Sequence, residues 1–267
     1  MILGATLNED GGITFSTVSG VAAGERSGIV NKLQDPDGVT RRALTYLVSG
    51  NPASPQSRFF SWELKLLEAV KQLPLLALED RGREVVLRRP GQPWRIPVDP
   101  VTKAFLIRYR AHTVDFQRLS FHEVLAGDFD PRLVADKIVL IGFLSELFQD
   151  IHRTPIGWLP GVTLNANAFL TLYTQDFLRP LPEGIEAAAA ALWMTLGILV
   201  TFGVRRRALA ALGLGLLVAA FFAASALLYP LGYTWNYVRL PAGLLVVPGL
   251  LRWGSNCLAG RRRRKKP

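Results

Sequence analysis

Apolar positions are spaced in two different ways along this chain. From residue 185 onward they run almost unbroken, in three blocks divided by short polar breaks. Block 185–204 holds one acid, Glu186, near its start, and block 208–229 holds no charge. Block 237–253 contains Arg239, Pro241, Pro248 and Arg252. A bilayer core of roughly 30 Å takes about 20 apolar residues in helical form. The pattern therefore predicts three membrane spans within 184–254, at 185–204, 208–229 and 237–253, the last kinked by its prolines. The competing reading, core helices of a soluble protein, is disfavoured because such helices rarely run this long without charge.

Before residue 184 the apolar positions alternate or recur at helical spacing. Gly28-Ile29-Val30-Asn31 reads as a short strand, Asp35-Pro36-Asp37-Gly38 as a turn, and 41–48 as a second strand closing a hairpin. Phe59, Trp62, Leu66, Leu67 and Val70 fall on one helical face, which predicts a helix over 59–72. Runs 84–89 and 94–98, joined through Pro90-Gly91, predict a second hairpin. A buried strand is expected over 104–109, and a short helix over 121–126 with Ser120 and Glu123 as a capping box. The run D-K-I-V-L-I-G (136–142) has the unbroken apolar character of a strand covered on both faces. Residues 161–176 read as a loop and then a helix, with Leu164, Ala168 and Leu172 inward. These elements make 1–183 an α/β domain, a mixed sheet flanked by helices, with Pro180 and Pro182 stiffening the junction to the first span.

Charge supplies direction. The net charge of +10 is unevenly placed: residues 1–183 carry 20 basic and 20 acidic side chains, while 184–267 carry 11 basic residues and the single acid Glu186. Arg205-Arg206-Arg207 separates the first two spans, and Arg261 to Lys266 follow the third. Both clusters belong on the cytoplasmic side by the positive-inside rule, which puts 1–183 outside and makes 255–267 a basic cytoplasmic tail. That tail reads as a contact for anionic lipid rather than for nucleic acid. The lone cysteine, Cys257, excludes a disulfide framework. Residues 1–24 contain no basic leader followed by an apolar run, so no signal peptide is expected there. Ala211, Gly215, Ala219 and Ala223 lie at a four-residue period and form a candidate packing stripe on the second span.

Catalytic signatures are missing. There is no phosphate-binding glycine loop and no nucleophile elbow, and His112, His122 and His152 are each isolated. Asp35 and Asp37 resemble the opening of a calcium loop, but the later ligands do not follow, so a turn is the better reading. His152 lies two residues from Asp150, in an expected loop past the 136–142 strand, where ligands of such sheets often bind. No metal, cofactor or enzymatic activity is expected.

Several stretches together resemble a family. They are G-I-V-N-K-L-Q-D-P-D-G-V-T-R-R (28–42), F-L-I-R-Y-R (105–110), S-F-H-E-V-L-A-G (120–127), D-K-I-V-L-I-G (136–142), D-I-H-R-T-P (150–155) and G-V-T-L-N-A-N-A (161–168). In this order, followed by three spans, they resemble the CHASE domain of the second type, an extracellular sensory module of bacterial signalling proteins. The resemblance implies a non-catalytic sensor in the inner (plasma) membrane, with its first domain periplasmic or extracellular. It further implies a homodimer, and a cytoplasmic kinase or cyclase that receives the signal. Relatives begin with an anchor helix and an earlier stretch of the domain, so 1–183 reads as N-terminally incomplete. They often carry Glu and His where this chain has Thr163 and Asn165. Strand-end geometry and the resemblance together nominate Asp35, Asp37, Asp150, Thr154, Gly161, Asn165 and Asn167 as ligand-binding residues. Two other readings remain open at this stage: a truncated or non-functional fragment without anchor and output domain, and a membrane-anchored extracytoplasmic enzyme.

Overall fold

The computed structural model describes residues 1–7, 13–15, 26–48, 58–89, 91–144, 150–235 and 243. The third expected span, 237–253, and the basic tail lie outside the described residues apart from the single position Gly243. The chain divides into two compact units, Met1–Phe177 and Leu178–Pro267.

The first unit has a mixed α/β character, but its strands form several small sheets rather than one large one. β1 (Leu3–Leu7) pairs antiparallel with β2 (Ile13–Phe15) and parallel with β3 (Ser27–Ile29). β4 (Lys32–Gln34) and β5 (Thr40–Leu44) form the first expected hairpin, with a bulge at Leu33/Gln34, and β11 (Ala104–Leu106) adds to the other edge of β5. β6 (Tyr46–Val48) pairs with β7 (Arg58–Phe60), so Phe59 belongs to a strand and not to the helix that follows. β8 (Leu78–Asp80), β9 (Glu84–Leu87) and β10 (Trp94–Pro97) form an antiparallel sheet that includes the second expected hairpin.

Helix α1 (Trp62–Lys71) starts at Ser61, whose hydroxyl accepts from Leu64 N at 3.3 Å, and ends where Gln72 turns left-handed at φ 54°. Glu63 in its first turn and Lys71 in its last complement the helix dipole. Glu63 also forms a buried ion pair with Lys32 of β4, at 2.6 Å. Helix α2 (Phe121–Ala126) has the expected capping box, with Glu123 accepting from Ser120 N at 3.0 Å, and closes on Gly127. β12 (Ile151–Thr154) and β13 (Gly157–Pro160) form a hairpin that leads directly into α3 (Gly161–Thr174), with no intervening loop. Leu64 and Leu67 of α1 and Leu164, Ala168 and Leu172 of α3 are all 1 % exposed or less and share one core with Phe60, Val85, Trp94, Ile96 and Phe105.

Two expected strands are corrected. The strand over 104–109 stops at Leu106; Ile107 N still donates to Arg41 O of β5 at 2.9 Å, but beyond it the backbone turns to α3 side chains, with Arg108 N donating to Thr171 Oγ1 at 3.0 Å and Arg110 N to Asn167 Oδ1 at 2.9 Å. Residues 136–142 form no strand and are not covered on both faces. Ile138, Val139 and Ile141 are exposed, Ile141 to 78 %. The composition suits a central strand, but among the described residues no neighbouring strand pairs with it, and a lone strand has no ladder to hold it.

In the second unit, α4 (Glu183–Gly203) packs on α5 (Arg207–Leu228), and β14 (Arg179–Pro180) pairs parallel with β15 (Tyr233–Thr234). The α4–α5 contact uses Gly213, where an added Cβ would lie 2.8 Å from Val200. Gly197, Thr201, Ala210 and Phe221 are buried in this unit. The small-residue stripe at Ala211, Gly215, Ala219 and Ala223 is exposed instead.

Gly28 marks where β3 meets the start of α1: a Cβ there would lie 2.6 Å from Trp62 N and 2.9 Å from Ser61 C. Gly28→Ala is expected to destabilise the domain by about 1–3 kcal/mol, because backbone cannot give way as a side chain end can. A denaturant midpoint equal to that of the parent would show that the junction is looser than this.

Candidate functional site

The nominated residues fall into three places. Asp35 and Asp37 sit in the β4–β5 turn, where the arginines of β5 hold them. Arg41 Nη1 is 2.7 Å from Asp35 Oδ2, Arg41 grips Asp37 through both nitrogens at 2.8 and 2.9 Å, and Arg42 also pairs with Asp35. The Arg41 guanidinium and the Val39 N–H hold the Asp37 carboxyl at about 2, below its ordinary 3.8. Both carboxylates therefore close the hairpin rather than face a ligand with their charge uncompensated.

Asp150, Thr154 and Gly161 gather around the hairpin and the start of α3. The Asp150 carbonyl accepts from Gly161 N at 2.9 Å, and its carboxylate approaches the Gly161 α-carbon so closely that a Cβ has no room. One carboxylate oxygen lies 2.9 Å from His152 Nε2. A carboxylate at the first residue of a 14-residue helix favours the helix dipole. Thr154 Oγ1 donates to Gly157 O at 2.6 Å across the hairpin turn, where Gly157 takes φ 115°. Gly142, at the end of the apolar run, packs on Val162, which a Cβ would meet at 2.6 Å. The end of the 136–142 run and the start of α3 are thus in contact, as the strand-end argument requires, although that run is not a strand.

Asn165 and Asn167 lie within α3 but play different parts. Asn165 is half-buried, and its side chain makes no hydrogen bond among the described residues. Asn167 is fully buried and uses all of its capacity: Oδ1 accepts from Arg110 N and Ala111 N at 2.9 and 3.1 Å, and Nδ2 donates to Ala111 O and Thr163 O at 2.9 and 3.0 Å. It is a clamp that fixes 110–111 to the helix. The surface left for a ligand at this edge is Asp150 with its His152 partner and Asn165, a set that can exchange hydrogen bonds with a polar molecule. Among the described residues, no group of three or more His, Cys, Asp or Glu stands together in a way that could hold a metal ion.

A pocket lies away from the residues nominated from the sequence. Tyr46, Arg58, Asp80 and Lys103 line this pocket of about 310 Å³. They come from β6, β7, β8 and the turn before β11. Only the residue types, one acid among two bases and a tyrosine, were available as a signal, and nothing local links them.

A family model described as the CHASE2 domain matches residues 2–199. No curated protein and no solved structure matches the chain.

Two measurements separate clamp from surface. Asn167→Ala should lower unfolding stability by about 2–3 kcal/mol, since it strands buried backbone groups, whereas Asn165→Ala should change it by less than about 0.5 kcal/mol; equal effects would refute the distinction. Asp37 carries the pH signature. Its depressed folded pKa contributes stability that is present above 3.8 and is lost as pH falls through about 2. Acid-unfolding curves of Asp37→Asn should therefore be flatter than those of the parent over that interval, and superimposed curves would show no linkage.

Proposed function

We infer the function from one premise: the chain belongs to the CHASE2 family, a family of sensory extracellular domains. On this reading it is a membrane-bound input protein. Residues 1–183 detect an extracytoplasmic signal, and the helices that follow pass it to a cytoplasmic partner. The observation that carries the membrane half is the character of α4 and α5. Glu183–Gly203 and Ala208–Leu228 are long and apolar enough to cross a bilayer. Their large side chains stand exposed, including Leu192, Leu199, Leu212, Leu216 and Leu227. Core helices of a soluble protein would bury those side chains, whereas lipid accommodates them.

The orientation follows from charge. Arg205 and Arg206 are exposed in the α4–α5 connection, whereas the link after α5, residues 230–235, has no basic residue. Positive-inside placement puts the arginine connection in the cytoplasm and the domain before α4 outside; on this reading the membrane is the inner (plasma) membrane. Its partners on this reading are membrane lipid, a second copy of the chain and a cytoplasmic kinase or cyclase. The chain itself catalyses nothing. Ligand binding outside would favour one of two helix arrangements, and the partner would read that shift in population.

Topology tests the reading. In a Cys257→Ser background, Leu76→Cys places a thiol on a residue 73 % exposed in the domain. A membrane-impermeant maleimide should label that thiol in intact cells, and should label the native Cys257 of the parent only after permeabilisation. The reverse pattern would put the domain in the cytoplasm and sink the sensor reading.

A further inference from the structure

The pocket between β6, β7, β8 and the turn before β11 has a charge balance that points to its ligand. Asp80 is fully engaged: its carboxylate accepts from Tyr46 Oη at 2.6 Å, from Lys103 Nζ at 2.8 and 3.0 Å and from Gly82 N at 2.8 Å. Burial raises its pKa, but those donors outweigh burial and hold it below the ordinary value. Lys103 is committed to the same carboxylate and to Gly82 O at 3.2 Å. The two charges neutralise one another.

Among the described residues Arg58 has no such partner. Its guanidinium lies 5.3 Å from the Tyr46 ring centroid, and Nη1 donates to Leu78 O at 2.8 Å. Nε is buried without an acceptor, and no carboxylate pairs with the group among the described residues. A half-buried guanidinium with an unsatisfied N–H and an uncompensated charge is costly to keep. Among the described residues the pocket thus carries one net positive charge, and its apolar lining includes Val48 and Val101, which are 43 % and 86 % exposed. Its volume, about 310 Å³, is at the small end for ligand sites, roughly 300–1,000 Å³.

We propose that this pocket binds a small organic monocarboxylate, with the carboxylate on the Arg58 guanidinium and the apolar part against Val48 and Val101. A monoanion matches the single free charge. A phosphate dianion brings more charge than Arg58 alone offsets, and an amine is repelled. A guanidinium suits a carboxylate because its planar donors can engage both oxygens. The binding stands apart from the sensing reading, since it is measured without any signalling output; only its role as the input would rest on that reading.

The test is calorimetric titration of the full chain in lipid nanodiscs, with heats from empty discs subtracted. The probes are butyrate, 1-butanol, butylamine and inorganic phosphate. Butyrate should bind saturably at one site and more tightly than the other three. Arg58→Gln should weaken it by about tenfold or more, the usual loss for a hydrogen bond to a charged group. Val101→Glu places an opposing charge on the exposed lining, where it does not disturb the core, and should weaken binding several-fold. It keeps the test decisive if Arg58→Gln does not fold. The proposal is overturned if butyrate shows no saturable binding or if butanol or phosphate binds as tightly. It is likewise overturned if the folded variants bind butyrate as the parent does.

Discussion

The packing of α1 against α3 is the contact on which the sensor domain depends. Sheets of two and three strands are marginal alone in water, and this domain contains only such sheets among its described residues. Leu64, Leu67, Leu164, Ala168 and Leu172 give them a shared interior, each buried leucine contributing about 1.5–3 kcal/mol. Polar groups of α3 extend the same contact. Thr171 and Asn167 take the backbone of 108–111, Trp94 Nε1 donates to Leu172 O at 3.2 Å, and Asp176 just past the helix pairs with Arg108 and Arg110. The helix therefore stands in for a sheet neighbour along one segment, just past the end of β11.

This architecture separates the two regions. The edge at Asp150 and Gly161 is built around the first turn of α3, where close approach demands glycine and the helix dipole favours a carboxylate. The pocket at Arg58 is built instead where β6, β7 and β8 meet, from side chains whose bonds to one another use up Asp80 and Lys103 but not Arg58. The first region is polar and largely self-satisfied. Among the described residues the second retains an unmet charge, and so it is the better place for an anion. On the proposed reading, α4 and α5 answer to another solvent: they are long and apolar enough to cross a bilayer, the backbone is satisfied within each helix, and lipid does not penalise an outward apolar surface.

The sequence alone determined the features whose causes are local. Helix length with apolar composition marked 185–204 and 208–229, and α4 and α5 cover nearly those ranges. Turn chemistry at Asp35-Pro36-Asp37-Gly38, the Ser120–Glu123 capping box and the inward face of α3 were legible because each depends on residues within a few positions of one another. Tertiary structure decided what depends on distant partners. The apolar run 136–142 has a strand composition, but a strand needs a neighbour and the described residues supply none. Strand-end geometry and the family resemblance nominate Asn167 as a ligand residue, and in the structure two backbone N–H groups more than fifty residues away claim its oxygen. Arg58 carries no mark in the sequence at all. Its lack of a counter-charge among the described residues emerges only when the chain brings Asp80 to Lys103 and Tyr46, because hydrogen-bond capacity is settled by whichever groups arrive within about 3 Å of each other.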